Sequence, residues 1–264
     1  MKLGPFQILF PAVSAATLLC FVSCASKPED AKKFASSLRR KTREFPSAEV
    51  SIAPSYVLLP TVIAAFKNSS IKVGAQSASQ YKDQKRTGEV SAEMLKATGA
   101  TFALVGHSER RAMGETHEQI RAELERVLEV GMTAVLCVGE EERDPSGAYL
   151  SVIVAQLTSA LEGLTYKPGK LIIAYEPVWA IGKTATDAMT GQDLREMTIF
   201  IKKTLAEHVD RAHALKVPIL YGGAVEAENA ASLLKAGDVS GFLVGHASTD
   251  IDSFVGILKT LAKK

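Results

Sequence analysis

Glu176 and His107 are the residues whose types and positions best suit chemistry. Glu176 follows the apolar run Leu171–Tyr175, and Pro177 comes directly after it. Such a run beside helical patterns predicts a buried parallel strand, and proline ends the strand because it has no N–H to donate. Ligands of parallel α/β sheets bind at the carboxyl ends of the strands, so Glu176 is a candidate general base. The strand pattern alone leaves open a surface glutamate that caps a loop.

Other chemically useful residues follow other apolar runs. His107 comes soon after the run 101–105, and Gly223 and Gly245 follow two runs near the C-terminus. Glycine lets backbone N–H groups approach a phosphate closely, and barrels often bind phosphate after their last two strands. Taken singly, the glycines could form tight turns and His107 could be a hydrogen-bonded loop histidine. Together these residues predict an acid–base site beside an anion-binding cradle.

The chain alternates predicted strands with predicted helices. This alternation would bring the residues named above to one edge of a parallel sheet. The predicted strands are 16–22, 50–53, 71–75, 101–105, 133–138, 170–175, 217–220 and 241–244. The predicted helices begin after Pro28 and then span 56–66, 91–98, 115–129, 146–161, 193–209, 227–234 and 251–261. Eight such units favour an α/β fold with a closed (β/α)8 TIM barrel in a single domain over an open sheet. The acidic stretch 140–144 is predicted to be a solvated loop.

Composition narrows the class of protein further. The chain has 264 residues, 47% hydrophobic and 23% charged, which is enough for one sizeable core. Its 31 basic and 29 acidic residues are mixed along the chain and give a net charge of +2, which argues against a nucleic-acid partner. Cys20, Cys24 and Cys137 are too few for a disulfide scaffold, and no histidine stands at ligand spacing beside them. No metal site is predicted.

The N-terminal region allows two interpretations. Residues 3–26 carry no charge, which resembles a lipoprotein signal with Cys24 as the lipidated residue. That alternative would give a membrane-anchored lipoprotein. We favour the other interpretation, in which residues 16–22 form the first strand of a barrel domain spanning 16–264. Residues 1–15 are then an N-terminal extension or part of a signal-like segment, and a cytoplasmic protein is expected.

Several segments resemble the characteristic motifs of the triosephosphate isomerase family, in the family's order. They are Gly-His-Ser-Glu-Arg-Arg at 106–111, Tyr-Glu-Pro-Val-Trp-Ala-Ile-Gly at 175–182, Leu-Cys-Val-Gly-Glu at 136–140, Tyr-Gly-Gly at 221–223 and Thr-Gly-Glu-Val-Ser at 87–91. The resemblance implies an isomerase that needs no cofactor and interconverts dihydroxyacetone phosphate and glyceraldehyde 3-phosphate. It also implies a homodimer.

The resemblance assigns roles to residues that match the motifs. Glu176 would move the proton between the two carbons, and neutral His107 would polarise the carbonyl, a division of roles carried over from the family. A lid containing Gly182 would close over the phosphate and exclude water. The implied substrate-binding residues are Gly182, Gly223, Ala224, Gly245 and His246.

The chain departs from the family at its first strand. The family carries an Asn-x-Lys motif there, and an ungapped count places Phe21 and Ser23 at those two positions. A lysine beside developing enediolate charge can contribute several kcal/mol, so its absence predicts a rate deficit of several orders of magnitude. Glu109, which lies near that lysine in the family, would lose its cation.

The predicted lid and the predicted phosphate-binding cradle also differ from those of the family. The family usually has two more residues between Gly182 and Lys183, up to about 7 Å of reach, so the lid is expected to close imperfectly. Ala224 replaces a serine, and His246 brings a Cβ where the family has glycine. The loop that inserts into a partner subunit in the family reads Gln-Lys-Arg-Thr-Gly at 84–88. These departures motivate an alternative function, a catalytically silent barrel that binds a phosphate ligand or serves a structural role.

Overall fold

The computed structural model describes residues 17–22, 27–82, 85–183 and 189–262, with the backbone alone for 17–22. The predictions for residues 1–15, Ser23 and Cys24 therefore lie outside the described residues. So do Gln84, in the loop predicted to insert into a partner subunit, and positions 184–188, which follow Gly182 in the predicted lid.

The described part contains one parallel sheet of eight strands, as the alternating pattern predicts. The strands are β1 (Thr17–Val22), β2 (Glu49–Pro54), β3 (Lys72–Val73), β4 (Phe102–Val105), β5 (Thr133–Val138), β6 (Leu171–Tyr175), β7 (Ile219–Tyr221) and β8 (Gly241–Val244). Their order in the sheet is β3-β2-β1-β8-β7-β6-β5-β4. β1 lies between β2 and β8 in this order, and its Thr17 pairs with both Glu49 and Gly241.

Hydrogen bonds between the two ends of this order close the sheet into a barrel. Beyond β3, Ala75 forms a parallel bridge with Ala103 of β4. The Thr101 N–H donates to the Val73 carbonyl at 2.9 Å, and the Leu104 N–H donates to the Ala75 carbonyl at 3.0 Å. Closure leaves no unpaired edge strand, and it brings all the strand carboxyl ends to one rim.

Ten α-helices pack around the strands in the described part. They are α1 (Pro28–Thr42), α2 (Leu59–Phe66), α3 (Ala92–Thr98), α4 (Ser108–Ala112), α5 (His117–Glu129), α6 (Tyr149–Leu161), α7 (Gly191–Leu205), α8 (Arg211–Ala214), α9 (Ala227–Ala236) and α10 (Ile251–Leu261). None of these described helices has both the length and the apolar character needed to cross a bilayer.

Some helix boundaries differ from the predicted ones. The predicted helix 115–129 begins only at His117, because the Thr116 hydroxyl accepts from the Gln119 N–H and the Gln119 side chain accepts from the Thr116 N–H in a capping box. The predicted helix 193–209 ends at Leu205 and is followed by the short α8. The predicted helix 146–161 begins at Tyr149.

The core has two layers, as expected for a barrel. Strand side chains alternate, so that Leu104 of β4 lies in a small inner cluster while its neighbour Val105 joins the outer layer beneath the helices. The inner cluster comprises Ala53, Phe102, Leu104, Val135, Cys137, Ala174, Leu220 and Leu243. This packed interior supports the rim residues from below.

Truncation of the inner layer should destabilise the whole domain. Leu104 is 0% exposed, so Leu104→Ala should lower the free energy of unfolding by about 2–5 kcal/mol through lost burial and a residual cavity. The matched control Val57→Ala, at a side chain 84% exposed, should change it by less than about 0.5 kcal/mol. Chemical denaturation measures both values, and equal losses for the two variants would contradict the layered core.

Candidate active site

His107 and Glu176 meet at the carboxyl-terminal rim of the barrel. The Glu176 Oε1 lies 3.1 Å from the His107 Nε2, although 69 positions separate the two residues in the chain. The Glu176 side chain is only 3% exposed and the His107 side chain 15%. This burial rules out the surface-glutamate interpretation and places both groups in a site of low dielectric constant.

The turn out of β4 sets the position and ring orientation of His107. Gly106 adopts a φ of +66°, a left-handed conformation that favours glycine, and His107 then caps the N-terminus of α4. The Glu109 N–H donates to the His107 Nδ1 at 3.3 Å. Since Nδ1 is the acceptor of this hydrogen bond, Nε2 is the ring nitrogen that faces Glu176 and can donate to it.

A backbone donor holds the Glu176 carboxylate, and glycines on both sides leave space for the residue. Its Oε2 accepts a hydrogen bond from the Ser108 N–H at 2.9 Å. The sequence motifs alone do not predict this donor. A Cβ on Gly139 would lie 1.7 Å from the Glu176 carbonyl oxygen, and one on Gly222 would lie 2.8 Å from the Glu176 Cγ. A glycine therefore follows each flanking strand, because Glu176 occupies the space that a side chain would need.

Two further groups lie beside the pair formed by His107 and Glu176. Arg111 donates from Nε to the Gly106 carbonyl at 2.8 Å and from Nη2 to the Cys137 carbonyl at 3.0 Å, which ties the ends of β4 and β5 together. Burial, and then the nearby charge of Glu176, raise the pKa of the Cys137 thiol. The thiol is thus kept protonated next to the carboxylate.

Glu140 is buried, so the prediction of a solvated loop at 140–144 is wrong at its first position. Glu140 is 1% exposed and accepts hydrogen bonds from the Tyr175 hydroxyl at 2.8 Å and the Trp179 Nε1–H at 2.9 Å. Burial, followed by the charge of Glu140, raises the pKa of Tyr175. Glu141 and Glu142 are exposed, as predicted. The buried Glu140 links the end of β5 to the segment that leads from Glu176 towards Gly182.

The residues predicted to bind phosphate lie after β6, β7 and β8. Gly182 is an exposed turn residue with a φ of +72°. Ala224 is 8% exposed, and its carbonyl accepts from the Asn229 Nδ2 at 3.0 Å. Gly245 precedes a 3-10 helix, His246–Thr249, in which His246 is exposed. A Cβ on Gly223 would lie 2.3 Å from the Tyr221 hydroxyl, so packing also demands glycine there.

A cleft of about 580 Å³ opens beside Glu176 and Ser108. Its lining includes Arg111 of α4, Cys137 of β5 and Glu140 after β5, but none of the residues predicted to bind phosphate. Within the described ranges, no three His, Cys, Asp or Glu side chains are grouped so that they could hold a metal ion. The arrangement provides a carboxylate that can carry a proton and an imidazole N–H that can donate to an oxygen.

The fold and this pair of side chains define a (β/α)8 barrel with an acid–base site at its carboxyl-terminal rim. A family model described as triosephosphate isomerase matches residues 23–261. The chain is 40% identical over 235 residues to the triosephosphate isomerase of Thermus thermophilus, which covers 88% of this chain and 93% of that protein. The chain belongs to the triosephosphate isomerase family.

Other relatives give the same result. The chain is 39% identical over 216 residues to the triosephosphate isomerase of Chlorobium phaeovibrioides, with 81% of this chain and 85% of that protein covered. It is 37% identical over 236 residues to the triosephosphate isomerase of Fusobacterium nucleatum, with 88% and 92% covered. The resemblance noted in the motifs thus extends over most of the barrel.

The single tryptophan of the chain makes the role of Glu140 measurable. Glu140→Ala removes the acceptor of the Tyr175 and Trp179 donors, and each buried donor left unpaired costs about 1–3 kcal/mol. We expect a lower free energy of unfolding and a red-shifted tryptophan emission in the folded protein. Glu141→Ala, at the exposed neighbour, is the matched control. An unchanged emission maximum in Glu140→Ala would contradict the link.

Proposed function

We propose that this chain interconverts dihydroxyacetone phosphate and glyceraldehyde 3-phosphate by proton transfer through an enediolate. The observation that carries the proposal is the contact between the His107 Nε2 and the Glu176 Oε1 at 3.1 Å. Relatives bearing the name triosephosphate isomerase favour this function over a silent barrel. No cofactor enters the proposed reaction.

In the proposed reaction, Glu176 first removes a proton from the carbon beside the carbonyl. The His107 Nε2–H hydrogen-bonds the carbonyl oxygen, so the negative charge that develops there is stabilised as the proton leaves. The substrate oxygens would take over the contact that His107 now makes with Glu176. Glu176 then returns its proton to the neighbouring carbon while His107 moves protons between the two oxygens.

The phosphate would bind to the turns after β6, β7 and β8. Backbone N–H groups of Gly182, Gly223, Ala224, Gly245 and His246 are the proposed donors. A Cβ built on Gly245 has no heavy atom within 4 Å, so there is open space beside this turn. The exposed His246 side chain would bring an additional donor to the cradle, or a charge when it is protonated.

The first strand supports both the domain boundary and a limit on the rate. The backbone of Thr17–Val22 pairs with β2 and β8, which supports a barrel domain at 16–264. A segment that forms a strand of the barrel is not expected to be removed as a signal. The pairing therefore favours a cytoplasmic location and no lipidation at Cys24. Phe21 pairs with Ala53 in this register. With phenylalanine and Ser23 in place of the family's asparagine and lysine, the proposed activity is impaired but present.

Two copies of the chain are proposed to form a homodimer.

Loss of either catalytic group should abolish most of the turnover. Glu176→Gln and His107→Gln should each lower kcat by about 10²–10⁴-fold, the usual contribution of a positioned acid or base. Met113→Ala, at a side chain 74% exposed in the same region, should leave kcat unchanged. A coupled isomerisation assay in both directions measures the rates. A wild-type rate no higher than that of Glu176→Gln would exclude the enzyme function.

Restoring the missing cation should increase the rate. The double variant Phe21→Asn with Ser23→Lys should raise kcat/KM at least about tenfold, because a lysine would stabilise the phosphate and the enediolate. The matched control is Phe21→Asn with Ser23→Gln, which restores polarity without the charge. If the lysine and glutamine variants gain equally or not at all, the absent cation is not the limiting defect.

A further inference from the structure

A second cavity opens at the amino-terminal rim of the barrel, where the strands begin. Its volume of about 500 Å³ falls in the range of about 300–1,000 Å³ that is usual for small-molecule sites. Glu49 and Lys72, the first residues of β2 and β3, line it, and so does Lys170, which directly precedes β6. The cavity therefore lies at the rim opposite to His107 and Glu176.

The floor of this cavity is apolar and buried. Phe102, Val135 and Leu220 line it, and all three belong to the inner cluster of the core. Each of these side chains is at most 4% exposed. A hydrocarbon group placed against them would leave water, which favours binding in proportion to the apolar area buried. The floor thus suits the apolar body of a ligand.

The mouth of the cavity is positively charged. Lys72, Lys96 and Lys170 line it, whereas Glu49 is the one acidic residue in its described lining. Glu49 forms an ion pair with Lys72, and the Lys170 Nζ donates to the Gly131 carbonyl at 2.7 Å. The Lys96 ammonium is exposed and makes no ion pair or hydrogen bond with the described residues. Two ammonium groups at the mouth, those of Lys96 and Lys170, thus have no carboxylate partner there.

A buried hydroxyl lies between the mouth and the floor. Ser51 lines the cavity and is only 7% exposed. It shares one face of β2 with Glu49 at the mouth and with Ala53 of the inner cluster, because alternate residues of a strand point the same way. Its Oγ makes no hydrogen bond with the described residues. A buried hydroxyl without a partner is costly, so Ser51 favours a bound molecule that carries polar atoms as well as an apolar body.

We propose that this cavity binds a small organic carboxylate whose apolar body is about the size of a naphthalene ring system. The body would lie against Phe102 and Leu220, and the carboxylate would bind the ammonium groups of Lys96 and Lys170. The excess of positive charge disfavours a cation, and a purely hydrophilic anion would leave the apolar floor uncovered. The proposal does not depend on the proposed isomerisation, because the two sites lie at opposite rims.

Binding of 2-naphthoate tests this proposal, with its neutral isostere 2-naphthamide as the control. Isothermal titration calorimetry of the full chain should show one naphthoate per chain with a dissociation constant below about 1 mM, which ligands of this size reach at ordinary efficiency. The amide should bind at least about threefold more weakly, because it lacks the charge. Absence of naphthoate binding, or equal affinity for the two compounds, would overturn the proposal.

Removal of the two ammonium groups should weaken binding of the anion alone. Lys96→Gln combined with Lys170→Gln should raise the dissociation constant of naphthoate at least about fivefold and leave that of naphthamide unchanged. The matched control is Lys235→Gln combined with Lys167→Gln, at two exposed lysines that do not line the cavity. Lys235, like Lys96, lies in the last turn of its helix. Equal losses in the two double variants would reflect net charge and contradict the site.

A variant that fills the cavity tests where naphthoate binds. Ser51→Leu places a larger apolar side chain in the cavity and should abolish binding, while circular dichroism and thermal unfolding report whether the variant folds. If it does not fold, the lysine variants still decide the proposal.

Inorganic phosphate separates this site from the proposed catalytic one. Naphthoate should bind equally well in phosphate and in chloride of the same ionic strength, and equally well to Glu176→Gln. Displacement by phosphate would place the probe at the turns proposed to bind the substrate and would overturn the proposal. A chain that binds naphthoate as expected but shows no turnover would count against the isomerase function alone.

Discussion

The space that Glu176 occupies at the end of β6 is the constraint on which the site depends. Its carbonyl and its Cγ take positions where side chains of the neighbouring strands would otherwise lie, so Gly139 and Gly222 must lack a Cβ. With that space secured, the carboxylate reaches the Ser108 N–H and the His107 imidazole. The closed barrel brings His107 and Glu176 together, because it places the ends of β4 and β6 on one rim.

The barrel and the rim positions of His107 and Glu176 could be predicted from the sequence because each depends on local signals. Apolar runs predict the strands, and a polar residue at the carboxyl end of a run predicts a rim position for Glu176. The shortened α5 also had a local signal, the capping box of Thr116 and Gln119, which the apolar periodicity alone does not reveal. Helix ends are set by such side-chain caps more than by the apolar face.

The burial of Glu140 and Glu123 could not be predicted in the same way. Each stands in a charged stretch of sequence, and each is buried only because distant segments meet there: Tyr175 and Trp179 around Glu140, and the segment after β3 around Glu123. Gly223 shows the same limit. Its type suggested close approach to a phosphate, whereas the structure shows that packing against the Tyr221 hydroxyl already requires glycine.

Deuterium incorporation tests the central claim, proton transfer by Glu176 through an enediolate, most directly. When isomerisation runs in deuterium oxide, a proton held on the carboxyl exchanges with solvent before it returns to carbon. Mass spectrometry and NMR of the product should therefore show carbon-bound deuterium at the position next to the carbonyl. Product formed with no carbon-bound deuterium, at the same rate by the wild type and by Glu176→Gln, would mean that hydrogen moves between the carbons without the carboxylate, and it would contradict the role assigned to Glu176.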